Sequence, residues 1–174
     1  MSRFNVLKWA AYALCILLLA VFQLQAASYQ RFMDVTPLLL IPAVASIAML
    51  EGETAGGIFG IIAGLFWDSG TGRAFGFNAL FLMCIGIAVG LFVKFLLRNT
   101  KLSVLLFTVI FTVSHELVTW FFFYYMTGIH DFGYALLRII VPTTGLTLIF
   151  ALPLYLGIRV INRKLTSQDS ELSE

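Results

Sequence analysis

Four side chains stand out in an otherwise oily sequence: Asp68, the adjacent pair His115 and Glu116, and Arg138. Asp68 ends the run GGIFGIIAGLFWD and precedes SGTGRAFG, so Arg73 follows five residues later. The 21 residues from 56 to 76 hold seven glycines. A carboxylate set among glycines can cap the backbone amides of a turn, pair with Arg73, or receive a ligand or another protein. His115 and Glu116 lie in FTVSHELVTWFFFYY, where Ser114 and Thr119 extend the polar character. Two roles stay open for them: an interior hydrogen-bonded cluster with Glu116 protonated, or a proton relay or partner contact. The HE pair opens the zinc-protease pattern HExxH, but Thr119 occupies the second histidine position, so that chemistry is unsupported. Arg138 can snorkel to a surface or pair with Asp68, Asp131 or Glu116.

The elements that must position these groups are membrane helices. Of 174 residues, 60% are hydrophobic and 11% charged, against about a quarter charged in soluble domains. Apolar runs of about 18 residues or more read as transmembrane helices. The expected fold is all-α, a polytopic bundle of about six helices. It forms one transmembrane domain over 1–164, with a polar, disordered cytoplasmic tail over 165–174. The expected spans are 9–27, 36–50, 54–67, 74–97, 102–126 and 134–160. The first has the outline of a signal peptide, but its apolar core is long and LQAAS lacks a clean cleavage pattern, so it reads as a retained helix. The second and third are short for a full crossing, which leaves a tilted, re-entrant or partly buried arrangement open. Pro142 and Pro153 should bend the last span. The aromatic run 120–125 should anchor at the outer interface.

Basic residues decide orientation, because retained Lys and Arg cluster in cytoplasmic loops. With six crossings and the N-terminus inside, the inner side collects Arg3, Lys8, Lys94, Arg98, Lys101, Arg159, Arg163 and Lys164. The outer side collects Arg31 and Arg73. Both termini are therefore expected in the cytoplasm, and a re-entrant hairpin at spans two and three would give the same count. The inner basic clusters suit anionic lipid headgroups rather than nucleic acid.

Gly56, Gly60 and Gly64 recur four apart, and Gly86 and Gly90 repeat that spacing. In lipid such small residues let helix backbones approach closely, within the chain or against a partner's helix. Gly70, Gly72 and Gly76 suit a tight turn needing positive φ, or a place where another backbone comes close. Cys15 and Cys84 lie inside apolar runs and read as small hydrophobes, with no disulfide or metal role. The sequence shows no P-loop and no Ser-His-Asp arrangement, and no cofactor is expected.

The run GIFGIIAGLFWDSGTGRAFGFNAL resembles the hallmark segment of the MreD family, the membrane subunit of the bacterial rod-shape machinery. Gly60, Gly64, Asp68, Gly70, Gly76 and Asn78 carry the resemblance, and DVTPLLLIPAV resembles the family's second segment. The resemblance implies a bacterial inner-membrane protein, similar in fold to the substrate-binding subunits of energy-coupling-factor transporters and not an enzyme. It also implies partnership with MreC, and with MreB, RodA and a transpeptidase, in the cell-wall elongation complex. The chief rival is a transporter subunit whose Asp68, Arg73 and Arg138 line an outward cavity. An intramembrane enzyme using Glu116 and His115 is the third class.

Overall fold

A computed structural model of the chain describes residues 3–28, 35–71, 75–95, 100–123, 125–127 and 132–171. The elements are α1 (Arg3–Ser28), α2 (Leu40–Glu51), α3 (Glu53–Thr71), α4 (Phe77–Phe95), α5 (Lys101–Phe123), α6 (Phe132–Ala135) and α7 (Val141–Glu171). A 3-10 turn, Tyr125–Thr127, follows α5, and a π-helical segment, Leu136–Ile140, joins α6 to α7. No strand occurs among the described residues. Among the described residues, four stretches are long and apolar enough to cross a membrane: Val6–Ala26, Phe77–Phe95, Lys101–Phe123 and Phe132–Leu165.

The axis of the bundle is α2, the helix that is too short. Its 12 residues span about 18 Å, against a hydrocarbon core of about 30 Å. Every residue from Leu40 to Met49 is buried, as befits a helix that is apolar on all sides. Helices α1, α3, α4, α5 and α7 all pack around it. Because α2 begins inside the bundle, water cannot satisfy its first amides. Side chains do so instead: the Leu38 N–H donates to Thr147 Oγ1 of α7 at 3.0 Å, and the Leu40 N–H to Gln23 Oε1 of α1 at 3.1 Å. At the other end Gly52, with φ 93°, reverses the chain into α3.

The turn between α2 and α3 lies at the same end of the bundle as the start of α1 and the end of α4. Glu51 accepts from Lys8 Nζ at 3.0 Å and from Tyr12 OH at 3.0 Å, and Asn162 of α7 donates to both Glu51 and the Tyr12 hydroxyl. Glu53 accepts from Lys94 Nζ at 2.6 Å, and that ammonium holds the Glu53 carboxyl below the usual carboxylate range. Successive long helices therefore alternate in direction.

The seam between α3 and α4 is built from backbone. A methyl group added to Gly56 would meet the Gly86 carbonyl oxygen at 2.7 Å, and one on Gly60 the Leu82 oxygen at 2.4 Å. One on Gly64 would meet Ala79 Cα at 2.2 Å, and one on Gly90 would meet Glu53 Cα at 2.4 Å. These five glycines let the two helices touch without intervening side chains.

Two boundaries differ from the sequence expectation. Helix α3 runs through Asp68 to Thr71 rather than stopping at Trp67. Ser69 Oγ donates to the Phe66 carbonyl at 2.7 Å, and Thr71 Oγ1 to that of Asp68 at 3.5 Å. Gly70 is thus helical, and its missing side chain leaves room for Leu24 of α1. The polar tail also differs, because α7 continues as helix to Glu171. No glycine or proline interrupts the sequence after Gly157, and Arg, Lys, Gln and Glu are good helix formers. A π-helical segment, Leu136–Ile140, immediately precedes Val141 and Pro142, while Pro153 lies inside the continuous α7. Pro142 supplies no N–H, and the Val141 N–H bonds to the Leu136 carbonyl, the wider spacing of a π turn.

Candidate functional site

Three of the four polar residues singled out in the sequence, Asp68, His115 and Glu116, converge at the end of the bundle opposite Glu51. Asp68 is fifteen residues beyond Glu53, about 22 Å along α3. It is only 3% exposed, yet both its oxygens are occupied. Oδ2 accepts from the N–H groups of Gly76 at 2.9 Å and Ala79 at 3.2 Å. Oδ1 accepts from the Asn78 N–H at 3.1 Å and from Asn78 Nδ2 at 2.8 Å.

Geometrically, Asp68 is an N-cap supplied by a neighbouring helix. The first four amides of a helix have no partner within it, and a carboxylate is favoured there by the helix dipole. Gly76, Asn78 and Ala79 present three of those amides at the start of α4. Gly76 has φ 97°, which a residue with a side chain would rarely adopt. Gly64 lies one turn below and lets α3 approach near enough for the carboxylate to reach. The glycine spacing and the aspartate are parts of one construction.

Asn78 links this cap to α5. Its Oδ1 lies 2.9 Å from His115 Nε2. Trp67 stacks on the imidazole with centroids 4.8 Å apart and planes at 24°, and Phe81 meets it edge-on at 5.1 Å. His115 Nδ1 faces Glu116 Oε1 at 3.6 Å, beyond hydrogen-bond length, and has no hydrogen-bond partner. Helices α3, α4 and α5 are thus joined through Asp68, Asn78 and His115.

Other candidates lie elsewhere. Arg138 is exposed on the π segment. Among the described residues it forms no ion pair with Asp68 or Glu116. Arg73, Gly72 and Asp131 fall outside the described residues, and the Arg73 alternatives with them. Pairing of Asp68 with the amides of α4 is what the geometry provides.

Sequence reasoning missed the far end of the bundle. Lys8, Glu51, Tyr12 and Asn162 form a second polar cluster there, and Gln23 and Thr147 hold the start of α2. Each is a polar residue in or beside an apolar run, which in a membrane helix marks an inward-facing position. That signal was present but does not say which residues meet. Beside the Glu51 cluster, Trp9, Thr54, Ala55, Ile58 and Phe59 line an open groove of about 490 Å³.

No curated protein and no solved structure matches the chain. A family model described as rod shape-determining protein MreD matches residues 3–165, a range that takes in the glycine seam, the Asp68 cap and both polar clusters. The chain therefore belongs to the MreD family of rod shape-determining membrane proteins.

Proposed function

We propose that the chain is a non-catalytic scaffold of the cell-wall elongation complex, holding the membrane helix of an MreC-like partner in the bacterial inner membrane. Through that partner it would serve MreB, RodA and a transpeptidase. The observation that carries this reading is the state of Asp68. Its acceptor positions are filled from within the chain by α4, so it builds a junction rather than awaiting a substrate. A rigid α3–α4 unit presents Ile58, Ile61 and Leu65 outward at helical spacing, as a docking face for another helix requires. The groove beside Trp9 and Ile58 is where we place that helix.

Six crossings with both termini cytoplasmic complete the proposal, as one domain over 1–164 with the remainder of α7 in the cytoplasm. Two observations support it: the basic residues gather at one end, and Lys8 and Lys94 reach the glutamates of the α2–α3 turn there. The test is site-specific photocrosslinking in cells. A crosslinker at Ile58 should capture the MreC-like partner, and one at Leu137, on the π segment, should not. Absence of partner capture at Ile58 and along the rest of α3, with the protein at normal abundance, would overturn this reading.

A further inference from the structure

The direction of each hydrogen bond can be followed from Asp68 to Glu116. A carboxylate with four N–H groups converging on it acts as an acceptor, so Asn78 presents Nδ2 to Oδ1 at 2.8 Å. Asn78 Oδ1 is thereby the atom facing His115 Nε2 at 2.9 Å. An amide oxygen can only accept, so Nε2 must carry a hydrogen. What remains is Nδ1, on a ring 3% exposed, with no hydrogen-bond partner and Glu116 Oε1 3.6 Å away.

With both atoms deprotonated, two acceptors would face each other beside the rings of Trp67, Phe77 and Phe81. Unpaired charge in such surroundings is strongly unfavourable. No ion pair joins His115 or Glu116 to a Lys or Arg among the described residues, and Lys94 of α4 is held by Glu53 at the far end. Helix α3 brings Asp68, already committed to α4, and α4 itself brings Asn78 and aromatic rings. The only ionisable side chain of α2 is Glu51, at the far end. On α7, Tyr155 and Arg159 lie towards that same far end, with the Arg159 guanidinium over the Tyr155 ring. Arg138, on the π segment, is exposed. A proton is the counter-charge the geometry leaves available.

We propose that His115 and Glu116 share one exchangeable proton between Nδ1 and Oε1, forming a proton-binding site within the bundle. Loading takes one proton from water and turns two opposed acceptors into a hydrogen-bonded pair. Release returns it to water and leaves a second negative charge near Asp68. Glu116, with 14% of its side chain exposed against 4% for His115, is the less enclosed of the two. Asn78 ties the state of the pair to the α3–α4 junction.

The chain has two histidines, so His130→Gln leaves His115 as the sole imidazole for nitrogen NMR in lipid nanodiscs. As pH rises, its Nδ1 signal should move in one step from hydrogen-bonded to bare, while Nε2 stays protonated. The carboxyl infrared band assigned to Glu116, by difference against Glu116→Gln, should change in the same step. In H130Q/E116Q the amide can donate to bare Nδ1, so the step should vanish with the Nε2–H signal retained. A bare Nδ1 at every pH, a proton never released while the bundle stays folded, or an unchanged step in H130Q/E116Q would each overturn the proposal. If that double variant does not fold, the His130→Gln titration alone decides.

Discussion

Alanine at Gly64 tests the seam and the cap together. The added methyl carbon would lie 2.2 Å from Ala79 Cα, 2.4 Å from Ala79 N and 2.6 Å from the Asn78 carbonyl carbon. These are backbone atoms of α4, so no side chain can rotate aside. Ordinary contact between carbons is about 3.5 Å or more, so the helices must separate locally by about 1.3 Å. Asp68 is one turn further along α3, and its four bonds, now 2.8 to 3.2 Å, would stretch past useful length. Hydrogen bonds to a charged group contribute about 1.5–3 kcal/mol each, and less than additively as a set. Loss of the cap plus loosened packing gives a destabilisation on the order of 4 kcal/mol. The control is alanine at Gly145 or Gly157 of α7, where an added methyl meets nothing within 4 Å. There the same change should be neutral or stabilise by up to about 1 kcal/mol, because alanine is the better helix former. Unfolding of the purified protein in micelles, followed by helical circular dichroism, would measure all three. A Gly64→Ala protein as stable as Gly157→Ala would refute the reasoning, since seam glycines would then be no different from lipid-facing ones.

Asp68→Leu should lower protein abundance and partner co-purification together, with Asp68→Asn milder because its amide oxygen still accepts; normal abundance and association in the leucine variant would remove the cap's structural role. Lys8→Met should destabilise by about 3 kcal/mol because it strips the cation from Glu51, whose side chain is only 11% exposed, whereas Lys94→Met, which removes an exposed lysine from a partly exposed glutamate, should leave the unfolding midpoint almost unchanged; equal effects would contradict the difference in burial. Because its carboxyl is held low, Glu53 should keep its pairing with Lys94 as pH falls through the normal carboxylate range and lose it only below, which chemical-shift titration of the Glu53 carboxyl carbon can follow. A periplasm-active reporter should be silent after Glu174 and active near Thr127, and an active reporter at the C-terminus would reverse the proposed orientation.

The legible part of the fold was whatever had a local period. Gly56, Gly60 and Gly64 point to a close helix contact by their spacing, and Asp68 followed by Gly70, Gly72 and Gly76 offers a capped turn as one of several readings. Their partners were not legible, because Gly64 meets Ala79 and Gly56 meets Gly86 only once α3 and α4 are antiparallel. The boundary at Trp67 misled because glycine reads as a breaker, and the contribution of Ser69 and Thr71 to the helix end appears only in three dimensions. Long-range polar pairs were least visible. Tyr12 and Asn162 are 150 residues apart, and nothing near either position names the other. The shortness of α2 was visible, but its central burial was not, since a half-length apolar segment suits a re-entrant hairpin equally well.

That central helix has a consequence for biosynthesis. The amide of Leu38, just before α2, is held by Thr147 on α7, 109 residues later in the chain, and the Glu51 cluster is closed by Asn162, later still. Until α7 arrives, an early segment must wait in or beside the bilayer with its opening amide unpaired. A nascent chain halted before Thr147 would therefore expose a polar helix start to lipid, the kind of defect that membrane proteases and insertion chaperones recognise. Closure of the core waits for the arrival of α7, the piece that seals the bundle.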